Sequence, residues 1–378
     1  MPTDAAVIRS DVPGSFARAV FHERHPELIR RVLAALPYGP GERAALERLL
    51  AESTGGVLEP LDEDAHDHAA WLAWGQNLWG RPWGEAPFLW AESYFYRRLL
   101  EATGYFRPGA WQGIDPFGPF KAAELATAPA GGGDGPPEAL LAASLWGNRA
   151  DLGFRITAGG AGRAAEGADA DALLVDDGPA LWAELERTAG GLVCVVADNA
   201  GRELLPDLAL IDHLLTRGLA GEVALYVKPQ PYFVSDATMT DVLAAVDHLR
   251  AAAVGGRLRR AMNDGTLVVR TDPFFCAPLP FHDLPAGLRA EFAGAALTIV
   301  KGDLNYRRLV GDRYWPPTTS FAGAAGHFPS CVAALRTLKS DVIVGLDAAT
   351  TARLNGTGTD WRTTGRHAVV QVHRLSGS

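Results

Sequence analysis

Apolar side chains in the first third of the chain recur at helical spacing. The segment Phe16–Leu36 (FARAVFHERHPELIRRVLAAL) predicts a helix interrupted near Pro26, and Gly41–Glu52 predicts another. Five tryptophans fall between Trp71 and Trp90, followed by WAESYFYRRLL, an aromatic density suited to packing helices together. Gly131–Pro137 (GGGDGPP) breaks this pattern and reads as a flexible connection. Beyond it the grammar changes. Short β-rich runs at Leu192–Ala197, Val223–Val227, Thr266–Arg270, Leu297–Val300, Val342–Val344 and Ala368–Val372 alternate with helical stretches such as Leu204–Arg217 and Thr240–Ala252. Such alternation predicts an α/β fold, a largely parallel sheet with helices on both faces. Ligands in such sheets bind beyond the carboxyl ends of the strands.

Composition narrows the partners. The 378 residues carry 35 basic and 44 acidic side chains, a formal charge of −9. No basic stripe is present to neutralise phosphates, which argues against nucleic acid. Cys194, Cys276 and Cys331 are too few for a disulfide framework and suit a reducing cytoplasm. The N-terminal residues lack a signal-peptide pattern, and no apolar run reaches the ~20 residues needed to span a bilayer. A cytoplasmic protein with no membrane partner is expected.

Only four of the 35 basic residues are lysines: Lys121, Lys228, Lys301 and Lys339. Where arginine has replaced lysine so widely, the remaining lysines are candidates for tasks that need a compact point charge. Each lies beside a predicted strand or in a Pro-bearing turn.

Two predicted strands end in similar chemistry. LVCVVA runs into Asp198-Asn199-Ala200-Gly201, and LTIV runs into Lys301-Gly302-Asp303-Leu304-Asn305. Either pair alone reads as a turn former. Both together, at the ligand-binding face, supply the hard oxygen donors that favour Mg²⁺ or Mn²⁺ over zinc. SLWGNRADL places Asn148 and Asp151 three residues apart, and RTLK places Arg336 three residues before Lys339. Cations beside a metal site typically bind phosphate oxygens.

The motifs SLWGNRADL, ADNAGRE, VKPQPYFVSDAT, VKGDLNYRRLVGDRYW and RTLK, in this order, resemble the domain of unknown function 89 family of metal-dependent damage-control phosphatases. The likeness is to the subgroup with an Arg-Thr-x-Lys signature, also described as acidic-residue (protein-glutamate) O-methyltransferases, and covers nearly the whole chain. It implies a helical N-terminal domain (residues 1–130) packed on an α/β/α sandwich (residues 138–378). It implies metal ligation by Asp198, Asn199 and Asp303, with Mn²⁺ expected and Co²⁺, Ni²⁺ or Mg²⁺ as alternatives. It also implies a small phosphorylated metabolite held near Asn148, Asp151, Lys301, Asn305, Lys339, Arg336 and Thr337. Glu92, Arg97, Asp115 and Lys121 match family positions in the helical part, and Glu92 and Lys121 are expected to contact the substrate. A Gly/Ala-rich stretch from Ala158 to Ala172 departs from the pattern.

The resulting expectation is hydrolysis of phosphate monoesters such as fructose 1-phosphate, fructose 6-phosphate or damaged phosphometabolites, with Asp198, Asp303 and Lys339 catalytic. Direct attack by Asp198 and a water oriented by a carboxylate both fit these residues. The rivals are S-adenosylmethionine-dependent carboxyl methylation and a member repurposed for a biosynthetic substrate. Methyl transfer calls for a Gly-rich turn after the first strand, for which TAGGAG (Thr157–Gly162) is a weak match. Calorimetry with S-adenosylmethionine separates the two. His66 and His68 diverge on a helix and read as a solvated face, and the three cysteines as core or unpaired residues.

Overall fold

The computed structural model describes residues 5–129, 135–147 and 172–375. Asn148, Asp151 and nearly all of the Gly/Ala-rich stretch therefore lie outside the described residues.

Seven strands form one sheet: β1 Leu173–Asp176, β2 Gly191–Val196, β3 Ala220–Val227, β4 Leu267–Thr271, β5 Leu297–Lys301, β6 Val332–Thr337 and β7 Ala368–His373. Their spatial order is β1-β7-β6-β5-β2-β3-β4, and every pairing is parallel except β6 with β7. The chain runs outward from β2 through β3 to β4, then returns to the opposite side of β2 as β5. Strand β2 thus lies at the switch point of the sheet, where a crevice opens beyond the strand ends.

Three expectations change. Val342–Val344 is not a strand. The strand lies ten residues earlier, where Val332–Thr337 pairs with both β5 and β7 and Arg336 stands opposite Val369. Leu173–Asp176 is a further strand at the sheet edge, too short and too interrupted by acid to show as an apolar run. Phe16–Leu36 does not break at Pro26. A short α-helix leads into a π-helical turn, Val20–Arg24, and then into the helix His25–Ala35, where proline occupies the first turn and its missing N–H costs nothing.

The apolar core has two parts, one on each sheet face. On one face, Leu141, Leu181, Leu208, Val242 and Leu258 from flanking helices pack on Val193, Val195 and Leu225. The other is continuous with the N-terminal helices: Phe21, Trp71, Trp83, Phe88 and Phe95 belong to the same buried cluster as Cys194, Val196, Tyr226 and Val300. Tryptophans 71, 79, 83 and 90 surround Tyr94 at ring separations of 4.9–5.5 Å, so this aromatic run is packing. Among the described residues no helix is long and apolar enough to cross a membrane.

Candidate active site at the sheet switch point

A cavity of about 110 Å³ lies beyond the carboxyl ends of the strands, lined by Asp198, Asn199, Asp236, Asp303 and Lys339, with Glu92 and Arg307. Each acid follows a different strand. Asp198 follows β2, Asp236 ends the loop after β3, and Asp303 follows β5.

The turn after β2 is tightly held. Asn199 donates to Asp198 Oδ2 at 3.1 Å and to Glu203 at 2.8 Å, and its Oδ1 accepts from Ser235 Oγ at 2.7 Å. The loop after β3 clamps it by backbone bonds, Ala237 N–H to the Asp198 carbonyl and Ala200 N–H to the Ser235 carbonyl. Within that loop Phe233 and Val234 adopt φ of 42° and 67°, which is strained for a bulky or a β-branched residue. Both line the cavity.

Asp303 sits in the first turn of the helix Gly302–Val310, where the helix dipole favours an anion. Its Oδ1 accepts from Arg336 Nε at 2.8 Å and from the Lys339 backbone N–H at 3.1 Å. Burial alone would raise this carboxyl. The Arg336 and Arg307 guanidiniums and these hydrogen bonds outweigh burial and hold it below the ordinary aspartate range. Glu92 behaves oppositely: burial pushes its carboxyl up although Arg307 stands 2.9 Å away.

The oxygen-rich lining fits a hard divalent cation. Among the described residues, however, no three His, Cys, Asp or Glu side chains form a ready-made cage. That accords with Mg²⁺-like ions, which take few protein carboxylates and fill their remaining positions from water and phosphate. A β-carbon on Gly302 would also fall 1.8 Å from Asp198 Oδ2, so only glycine lets the two acid-bearing turns meet.

Several sequence expectations are relocated. Arg336, expected on substrate, is fully buried and committed inside the protein. Besides Asp303 it donates to the Val342 carbonyl and to Ser340 Oγ at 3.0 Å, and it lies over the Tyr306 ring at 4.3 Å. Lys301, 1% exposed, turns away from the cavity to Asp207 at 2.9 Å and to Ser144 Oγ and its carbonyl. Lys121 binds Asp115 at 3.0 Å, Asp241 at 2.9 Å and the Asp236 carbonyl at 2.9 Å, and so anchors the loop carrying Asp236. Asn305 ties the Ala197 and Lys301 carbonyls together, and Thr337 is buried in β6. Of the expected substrate contacts within the described residues, Glu92 and Lys339 reach the cavity. Arg97 pairs with Asp67 and Glu101, away from the cavity.

Sequence reading missed Asp236 and Arg24 as lining residues; of Arg307, Arg308 and Arg313, expected to brace the loop around Asp303 with one reaching substrate, Arg307 lines the cavity. For Asp236 a signal was present, since VSDAT follows a predicted strand as ADN and KGD do. Nine residues separate it from the end of β3, however, and only the folded loop returns it to the strand end. Cys194 and Cys276 are buried free thiols, each pushed up to about 12 by burial, as inert core residues would be. His68 Nδ1–H donates to the Leu61 carbonyl at 2.8 Å, and His282 stacks on His327 and is not among the residues lining the cavity.

Sheet order, strand-end acids and lysine define an α/β protein with an acidic, lysine-bearing site at the switch point of a largely parallel sheet. The chain belongs to the damage-control phosphatase ARMT1-like domain family, whose model matches residues 20–354. It is 32% identical to the zebrafish protein named damage-control phosphatase ARMT1, over 95% of this chain and 94% of that protein. It is 29% identical to the mouse protein of that name, over 98% and 99%. A DUF89 family protein from Pyrococcus horikoshii of known structure aligns over 93% of this chain and 96% of its own, with 16% identity and a TM-score of 0.49.

Proposed function

We propose that the protein is a metal-dependent phosphatase acting on small phosphate monoesters of the sugar-phosphate class. The observation that carries this reading is the convergence of Asp198, Asn199, Asp236, Asp303 and Lys339 on one small cavity at the switch point. The names of its curated relatives support it.

Asp198, Asn199 and Asp303 would hold the cation, with Asp236 as a fourth oxygen donor. Bound there, the metal would supply Lewis-acid stabilisation to a phosphoryl oxygen. The remaining roles belong to the chain. Lys339, a compact cation in an acidic site, binds phosphate and stabilises the charge that develops during transfer. Arg336 acts through Asp303, fixing its carboxylate and keeping it ionised. Glu92 and Arg307, paired at the cavity wall, orient the organic part of the substrate. Phe16, Tyr96 and Phe233 line the same space and limit bulk water. Hydrolysis breaks the ester P–O bond and joins the oxygen of water to phosphorus, releasing an alcohol and inorganic phosphate.

Crystals grown with Mn²⁺ and a phosphate analogue test the assignment. The expected result is an anomalous peak between Asp198 and Asp303 with the anion beside Lys339. A cavity without anomalous density at saturating Mn²⁺ would overturn the metal assignment.

A further inference from the structure

The cavity has a second wall that the phosphate chemistry does not use. It comes from the N-terminal helices, where the π-helical turn Val20–Arg24 leads directly into His25. Such turns place side chains where a regular helix would not, and they recur at functional sites. Arg24 and His25 both line the cavity.

His25 is 1% exposed, and neither ring nitrogen has a hydrogen-bond partner among the described residues. Its neighbours explain why. The ring stacks on Phe95 at 3.6 Å and 8°, and meets Phe21 edge-on at 4.7 Å and Tyr96 at 6.0 Å. Aromatic rings hold the imidazole rigidly and offer its nitrogens nothing in the ring plane. Burial, with Arg24 adding to it, lowers its pKa to about 3, so the ring is neutral near pH 7. A neutral imidazole carries one donor and one acceptor. Leaving each buried and unpaired costs about 1–3 kcal/mol. His25 borders the cavity, and a hydroxyl group, which can either donate or accept, matches one or other of its ring nitrogens.

We propose that His25 is a specificity-determining residue that hydrogen-bonds a hydroxyl on the organic part of the substrate, selecting polyhydroxylated phosphate monoesters over alkyl or aryl ones. This rests on the phosphatase reading above and deepens it. Selection of this kind is strong because an analogue lacking the hydroxyl leaves buried polar atoms unpaired.

The test compares two non-hydrolysable phosphonates, one the analogue of fructose 6-phosphate and one of hexyl phosphate, by calorimetry with Mn²⁺ present. Wild type is expected to bind the hydroxylated phosphonate at least about tenfold more tightly, about the worth of one neutral hydrogen bond. His25→Phe, which keeps the stack on Phe95, is expected to lose that preference, and His25→Gln, which keeps a donor and an acceptor, to recover part of it. Should phenylalanine disturb folding, His25→Leu gives the same reading. Affinity for inorganic phosphate is expected to stay unchanged in all variants. A wild type that shows no preference or binds neither phosphonate, or a His25→Phe protein that keeps the preference, overturns the proposal. Phosphate release from natural monoesters is measured separately. Its absence in wild type would refute the phosphatase reading, while the calorimetry still decides the role of His25.

Discussion

Gly302 and Asp198 meet so closely that a β-carbon on Gly302 would fall 1.8 Å from Asp198 Oδ2. Gly302 also has φ +83°, a conformation that costs a residue with a side chain about 1–3 kcal/mol. Two constraints therefore fix glycine between Lys301 and Asp303, and both arise from bringing the strand-end acids together. Gly302→Ala is expected to abolish phosphate release and to lower unfolding stability by at least that strain. Urea unfolding and a phosphate assay check it; a variant near wild type in both would contradict the placement of Asp198.

Arg336 and Asp303 form a buried pair at 2.7 Å. Removing one partner of such a pair is expensive, so Arg336→Leu is expected to cost about 3–5 kcal/mol. Arg336→Lys should remain well below wild type, because an ammonium cannot reproduce the guanidinium fork that also reaches Ser340 and Val342. Loss of activity without loss of stability would instead mean that Arg336 contacts substrate.

The same pair has a pH signature. The folded-state pKa of Asp303 lies below its ordinary value of 3.8. Its contribution to stability is therefore complete above that value and is lost as pH falls below it towards the depressed pKa. The stability gap between wild type and Asp303→Asn should be constant from neutral pH to about 5 and shrink below about 4. Denaturant midpoints across that range measure it; a gap that widens on acidification would reverse the sign.

Lys121 is surrounded by Asp115, Asp241 and the Asp236 carbonyl. Burial works against its charge, but the two carboxylates beside it carry its pKa above the ordinary lysine value. Lys121→Met is expected to loosen the loop bearing Asp236, seen as faster amide hydrogen exchange over residues 232–238, and to lower kcat more than it raises KM. A pure KM effect with unchanged exchange would make Lys121 a substrate contact.

Lys301, Ser144 and Asp207 form a buried cluster that does not line the cavity. Lys301→Met and Asp207→Asn should each destabilise, and a double-mutant cycle should show them coupled by about 0.5–3 kcal/mol. Additive effects on stability would dissolve the pairing.

How much of this was legible in sequence depended on distance along the chain. Asp198-Asn199 and Asp303 follow apolar runs directly, so the parallel sheet itself places them at the ligand-binding face. The helical start, the alternation of strand and helix, and the shift at the glycine-rich connection were legible for the same reason: each is a local pattern. What sequence did not reveal is how charges pair across long separations. Arg336 finds Asp303 33 residues away, and Lys301 finds Ser144 157 residues away. The scarcity of lysine therefore marked buried point charges correctly, but it did not distinguish one that faces the cavity, Lys339, from three that brace the fold: Lys121, Lys301 and Lys228, which pairs with Asp236 at 3.2 Å. Strand β6 was missed because Arg336 and Thr337 interrupt its apolar character while lying buried between β5 and β7.

Phosphate release from fructose 1-phosphate and fructose 6-phosphate, with and without Mn²⁺, is decisive for the metal-dependent phosphatase assignment when wild type is compared with Asp198→Asn and Lys339→Met. Release is expected to depend on Mn²⁺ and to fall by at least about two orders of magnitude in both variants, a loss of the size seen when charge stabilisation is removed, with both still cooperatively folded. Wild type that releases no phosphate from these or other small monoesters with any divalent metal, or variants that retain full activity, would contradict it.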